Sequence, residues 1–162
     1  MRVLFMCTAN SCRSILSEAM FNHLAPQGFQ AISAGSFPRG QVLPRSLVTL
    51  QEAGIGIDGL SSKGNDAYED NPPDLVITVC DKAAGEVCPV WPGQPMTAHW
   101  GVEDPVAAVG APEALQRAFS QVFMLLHRRI SLFASLPLEK LEGQALKREL
   151  DQIGKTALQP EA

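Results

Sequence analysis

Short apolar runs alternate with longer stretches of helical spacing along this chain. Arg2 to Met6 (RVLFM) is apolar inside polar flanks, the pattern of a buried parallel strand. From Arg13, the residues Ile15, Leu16, Ala19, Met20 and Leu24 recur at helical spacing as far as Pro26, with Ser14, Ser17 and Glu18 in the first turns. Phe29 to Ala34 reads as a second strand ending at Gly35, Leu47 to Ala53 as a helix stopped by Gly54, and Leu75 to Val79 (LVITV) as a further buried strand. Strands alternating with helices predict an α/β fold on a parallel sheet.

Between Cys80 and Gly110 the prolines at 89, 92, 95 and 105 interrupt any period, so the stretch reads as a long ordered loop carrying HWGVEDP. After Pro112, the residues Leu115, Phe119, Val122, Phe123, Leu126, Ile130 and Phe133 form one apolar face, which predicts a long amphipathic helix against the sheet. A weaker helical pattern follows Pro137 through Leu138, Leu141, Ala145, Leu146 and Leu150, and LQPEA has no reason to order. The expected division is a catalytic α/β domain over 1–136, with a helical extension and flexible tail over 137–162.

Composition narrows the picture. A chain of 162 residues, 46% apolar and 19% charged, can bury a core without disulfides or a structural metal. A formal charge of -4 with no dense basic stretch argues against nucleic acid as a partner. The apolar run at the amino end is too short for an export or membrane segment, so a cytoplasmic protein with no membrane partner is expected, and a monomer. The cysteines lie as two distant pairs, Cys7 with Cys12 and Cys80 with Cys88, which favours reduced and catalytic thiols over a disulfide framework. The close C-x-x-C spacing of zinc sites is absent.

The segment CTANSCRS joins the first strand to the first helix, where backbone N–H groups and the helix dipole favour anions. Arg13 adds a planar fork of donors that takes two oxygens at once, and the same positive surroundings favour the thiolate of Cys7. Thr8, Ala9, Asn10, Ser11, Cys12, Arg13 and Ser14 are the candidate substrate-binding residues and Cys7 the nucleophile for a tetrahedral oxyanion. No GK[ST] follows a glycine-rich stretch, which argues against a nucleotide triphosphate. Cys80, ending an inferred strand, and Cys88 in the following loop both belong near the strand ends where Cys7 sits. His99 beside Trp100 reads as packing with one satisfied nitrogen, and His23 and His127 as surface residues.

CTANSCRS with EDP at 103 to 105 resembles the low-molecular-weight tyrosine phosphatase superfamily, and VCDKAAGEVCPVWPG with HWGVEDP narrows the resemblance to its arsenate reductases. The resemblance implies a three-layer open parallel sheet flanked by helices and a thiol cascade. In it Cys7 attacks arsenate, Arg13 holds the charge, Asp104 protonates a departing oxygen, Cys80 attacks the Cys7 sulfur, and Cys88 takes over Cys80. It also implies no tightly bound cofactor and an external reductant, either thioredoxin or a glutathione and glutaredoxin system. Some relatives hold potassium beside residues matching Asn10 and Ser33. Two departures stand out: Val106 and Ala107 replace the tyrosines that follow Asp-Pro in the phosphatases, and seven residues separate Cys80 from Cys88, one more than in thioredoxin-linked members. Phosphomonoester hydrolysis through a Cys7 phosphocysteine is the second reading, and a non-catalytic oxyanion or redox sensor the third.

Overall fold

A computed structural model describes residues 1–68, 70–79, 95–102, 105, 112–138, 140–141 and 143–155. Strand β1 (Arg2–Cys7) lies between β2 (Gln30–Gly35) and β3 (Leu75–Thr78), and β4 (Met96–His99) pairs with the far side of β3, giving the order β2-β1-β3-β4. Every pairing is parallel. β1 is buried over its last five positions and β3 over all four, as expected of strands covered on both faces. The register sets Cys7 opposite Gly35, Met6 opposite Thr78, and Thr78 opposite His99, so the carboxyl ends finish at one level. Because β1 leads outward to β2 on one side and β3 lies on the other, the crevice where such a sheet binds ligands opens directly above Cys7.

Helix α1 (Arg13–Leu24) follows β1, α2 (Pro44–Glu52) follows β2, and a 3-10 turn spans Asn65–Tyr68. Helix α3 (Pro112–Ala134) and helix α4 (Gly143–Gly154) complete the described elements. One face of β1, through Val3, Phe5 and Cys7, packs against α1, with α3 lying on α1 and α4 on β4 in the same larger core cluster. At its centre Phe5, Phe21, Trp100 and Phe133 are fully buried, with ring centroids 4.9 to 6.1 Å apart. The opposite face carries Leu4, Met6, Ile32, Ala34 and Val76, with Tyr68 packed on them. α4 presses Leu146, Leu150 and Ile153 into the larger cluster, and the Trp100 Nε1–H donates to the Leu150 carbonyl at 2.9 Å. Gly154 has to be a glycine in this packing, because a Cβ there would stand 2.7 Å from the His99 carbonyl and from the Trp100 ring.

The parallel sheet flanked by helices agrees with the sequence pattern. Three boundaries differ. The stretch read as one long loop contains β4, an edge strand in which only Ala98 is buried, so backbone pairing with β3 defines it and no apolar run announces it. Helix α2 begins at Pro44, three residues earlier than the apolar spacing predicts, because proline suits the first helical turn. Leu24, counted with the apolar stripe of α1, is 37% exposed at the helix end.

Candidate active site

The loop from Cys7 to Arg13 is shaped by its neighbours. Four of its carbonyls are turned outward and taken by the segment after β2: the N–H groups of Ser36, Phe37, Arg39 and Leu43 donate to Cys7, Thr8, Ala9 and Ser11 respectively, at 2.9 to 3.3 Å. The Ser62 and Ser46 hydroxyls add bonds to the Ala9 and Ser11 carbonyls, both at 3.2 Å. Asn10 bends the loop with a left-handed φ of 47°, a conformation asparagine tolerates better than most side chains. Gly35 lets the loop lie against β2, since a Cβ there would stand 2.5 Å from the Thr8 carbonyl. α1 then starts at Cys12 without a side-chain cap, so its positive end faces the loop.

Cys7 is 2% exposed, and its Sγ lies 3.0 Å from the Ser14 Oγ. The Asn10 Nδ2 donates to Ser14 Oγ at 2.8 Å, which leaves the Ser14 hydroxyl proton available to a Cys7 thiolate, while with a protonated thiol either atom of the pair can be the donor. A thiolate at Cys7 thus receives a charge-assisted hydrogen bond from a side chain fixed by a second one. Arg13 reaches across the crevice, its Nη1 donating to the Val102 carbonyl at 2.9 Å. That bond ties the guanidinium to the segment running toward Asp104. Cys80, Cys88 and Asp104 themselves lie outside the described residues. Cys12, at the start of α1, is buried in the larger core cluster.

Behind the loop sits a polar cluster that the apolar pattern does not announce. Asn10 Nδ2 also donates to Ser33 Oγ at 3.0 Å, and Ser33 Oγ donates to Glu18 Oε1 at 2.5 Å. The Lys63 backbone N–H donates to Asn10 Oδ1 at 2.8 Å, while its ammonium lies 3.4 Å from Ser33 Oγ and 3.7 Å from Glu18 Oε1. Tyr68 donates its hydroxyl to the Ser33 carbonyl at 3.1 Å. Burial pushes the Glu18 carboxyl up against the pull of Ser33 and Lys63, and burial pulls the Lys63 ammonium down against the pull of Glu18. Tyr68 is held at about 12, by burial first and by the Glu18 charge second. The one hint in the sequence is the run Ser14, Ser17, Glu18 among Ile15, Leu16, Ala19 and Met20, because a helix buried through eight consecutive positions must find partners for its polar side chains.

Arg129 of α3 is buried and donates to the Gly101 carbonyl at 3.2 Å. Burial lowers its pKa from the ordinary arginine value. The Thr78 Oγ1 and His99 Nδ1 lie 2.7 Å apart at the ends of β3 and β4, so the expected hydrogen bond at one ring nitrogen is present, but the residue is exposed on the edge strand and not packed as expected beside Trp100. His23 and His127 are exposed, the latter stacked on Phe123. Among the described residues no group of three or more His, Cys, Asp or Glu side chains is placed to hold a metal ion.

Known proteins share this arrangement. An arsenate reductase of Halalkalibacterium halodurans is 35% identical over 132 residues, which is 82% of this chain and 94% of that one. The crystal structure of an arsenate reductase from Archaeoglobus fulgidus superposes with a TM-score of 0.60 at 26% identity, covering 79% of this chain and 98% of the other. A thioredoxin-dependent arsenate reductase of Corynebacterium glutamicum superposes with a TM-score of 0.58 at 28% identity, covering 77% of this chain and 57% of that one. The sequence model of the low molecular weight phosphotyrosine protein phosphatases matches residues 2–151, and with the Cys7 to Arg13 loop, its helix and the parallel sheet in place, the chain belongs to that family.

Proposed function

We propose that this protein is an arsenate reductase that uses its own cysteines as the first electron source. The observation that carries the reading is the setting of Cys7: a buried sulfur at the end of a central strand, 3.0 Å from a hydroxyl that can donate to its thiolate, under the positive end of α1. That setting suits attack on a tetrahedral oxyanion, and two thiols beyond those of the loop, Cys80 and Cys88, suit reduction rather than hydrolysis. The relatives named arsenate reductases, similar over most of their length, support the same reading.

In the proposed cycle the Cys7 thiolate attacks the arsenic of arsenate, and a sulfur–arsenic bond replaces an arsenic–oxygen bond. Thr8, Ala9, Asn10, Ser11, Cys12 and Ser14 form the cradle, and Arg13 takes two oxygens of the anion. Asp104 gives its proton to the departing oxygen, which leaves as water. The Cys80 thiolate then attacks the Cys7 sulfur, the sulfur–arsenic electron pair stays on arsenic, and arsenite leaves. Arsenic has gained two electrons and the two thiols have lost them as a Cys7 to Cys80 disulfide. Cys88 attacks Cys80, which frees Cys7 and leaves a Cys80 to Cys88 disulfide for an external dithiol to reduce. The thioredoxin-dependent relative favours thioredoxin over a glutathione and glutaredoxin system. No tightly bound cofactor enters the cycle, and a monomer acting in the cytoplasm is part of the proposal.

The family's phosphatase name supports a second activity on the same loop, hydrolysis of phosphomonoesters through a Cys7 phosphocysteine. Comparing kcat/KM for arsenate reduction, coupled to thioredoxin and its reductase, with kcat/KM for an aryl phosphate separates the two. The proposal expects reduction to dominate and to vanish in Cys80→Ser. Aryl phosphate hydrolysis as the dominant rate, unchanged in Cys80→Ser, would replace it with the phosphatase reading.

A further inference from the structure

A cation expected from outside has a competitor inside this chain. Asn10 and Ser33, the residues matching a potassium site in some relatives, are fully buried behind the anion loop. A serine hydroxyl has one proton to give and two lone pairs to offer. Ser33 gives its proton to Glu18, and its lone pairs face Asn10 Nδ2 at 3.0 Å and the Lys63 ammonium at 3.4 Å. Asn10 Oδ1 already accepts the Lys63 backbone N–H. The carboxylate of the cluster among the described residues, Glu18, has the same ammonium 3.7 Å from Oε1, and that ammonium donates to the Ser61 carbonyl at 2.6 Å. Ser33 Oγ, Asn10 Oδ1 and Glu18 Oε1 are each engaged, and an ammonium already stands beside the serine and the carboxylate, so these residues as arranged do not fit the ion.

We propose that Lys63 is a positioning residue whose ammonium serves as the built-in monovalent cation of the anion loop. One residue then does two things: its backbone N–H holds the Asn10 side chain, and its charge holds the Glu18 and Ser33 oxygens that fix the other end of that side chain. Asn10 in turn supports Ser14, and Ser14 supports the Cys7 sulfur. Two consequences follow. The wild-type protein is indifferent to potassium at constant ionic strength, and deletion of the ammonium leaves the buried Glu18 carboxylate and Ser33 hydroxyl beside the Ser61 carbonyl, which together take up a potassium ion.

The inference rests on the anion-loop reading but not on arsenate as the substrate, and the test uses readouts that need no turnover. Melting temperature and the rate of Cys7 alkylation by iodoacetamide, followed by peptide mass, are measured for wild type, Lys63→Met, Lys63→Gln and Glu18→Gln/Lys63→Met. Each is titrated with potassium chloride against tetramethylammonium chloride. Expected are flat responses in the wild type, and in Lys63→Met a slower alkylation, by about 5- to 20-fold, that potassium restores with a saturable rise in melting temperature. Lys63→Gln gives the same pattern if the methionine variant does not fold, and the double variant shows no rescue because the carboxylate is gone. A saturable potassium response in the wild type, or single variants that ignore potassium, would overturn the proposal. A flat wild type with rescued single variants would uphold it even if arsenate proves not to be the substrate.

Discussion

The two ends of helix α1 meet the rest of the molecule in opposite ways. Toward its carboxyl end Phe21 stacks into the aromatic cluster with Phe5, Trp100 and Phe133, where contacts are apolar and fit by shape. Toward its amino end Ser14 and Glu18 belong to a chain of directed hydrogen bonds running from Cys7 through Asn10 and Ser33 to Lys63. Apolar packing is non-directional, so loss of one ring lowers stability and leaves the geometry elsewhere intact. A buried polar chain is all or none, since each missing partner strands another group. Stability and reactivity should therefore separate along this one helix.

Phe133→Ala should show the largest effect and the simplest one. It removes a fully buried ring and should cost about 3–5 kcal/mol in denaturant unfolding, with Cys7 alkylation in the folded state within a factor of two of wild type. A large fall in alkylation would mean that the two ends of α1 are coupled. Gly35→Ala should invert the pattern, because its Cβ meets the Thr8 carbonyl and only movement of the anion loop makes room. Cys7 reactivity should drop by about 100-fold, the scale of a misplacement of about 1 Å. A variant as reactive as wild type would show that the loop does not depend on its approach to β2.

These contrasts also mark how much could be read from the sequence. The runs RVLFM and LVITV and the spacing after Pro112 expose β1, β3 and α3 directly, because burial on both faces of a strand or on one face of a helix leaves a local period. CTANSCRS exposes the loop of Cys7 and Arg13, the proposed nucleophile and its arginine, for a similar reason, as all the parts lie within one short loop of chain. β4 was hidden because an edge strand is defined by the neighbour it pairs with. Lys63, Tyr68 and Arg129 were hidden because each acts across long sequence separations: Lys63 on Asn10 and Glu18, Tyr68 on Ser33, Arg129 on Gly101. Only spatial neighbours show that these side chains hold other groups in place and are not solvated surface.

Two smaller effects sharpen the same contrast. Ser14→Ala removes the hydroxyl that faces the Cys7 sulfur, and a hydrogen bond to a charged group contributes about 1.5–3 kcal/mol, so alkylation at neutral pH should slow by about 10- to 100-fold, while the stranded Asn10 Nδ2 should cost about 1–3 kcal/mol in unfolding, less than Phe133→Ala. Equal rates would remove Ser14 from the site. The smallest effect is a pH slope. Glu18 is held above its ordinary 4.5 by burial, so the folded chain binds that proton more tightly than the unfolded chain does. Stability should fall as pH rises from 4.5 through the folded value, by at most about 1.4 kcal/mol per pH unit, and Glu18→Gln should flatten that part of the curve. Ser33, Lys63 and Tyr68 face the same carboxyl, and Tyr68, held at about 12, does not titrate in that window. An unchanged slope in Glu18→Gln would assign it to another group.

The central claim is that Cys7 begins a transfer of two electrons that the other thiols complete. It is tested most directly by mixing the fully reduced protein with arsenate and no other reductant, measuring arsenite released per chain, and mapping disulfides by mass spectrometry in wild type and in Cys80→Ser. The account predicts about one arsenite per chain with a Cys80 to Cys88 disulfide, and no arsenite from Cys80→Ser. No arsenite from the wild type, with all its thiols still reduced, would contradict it.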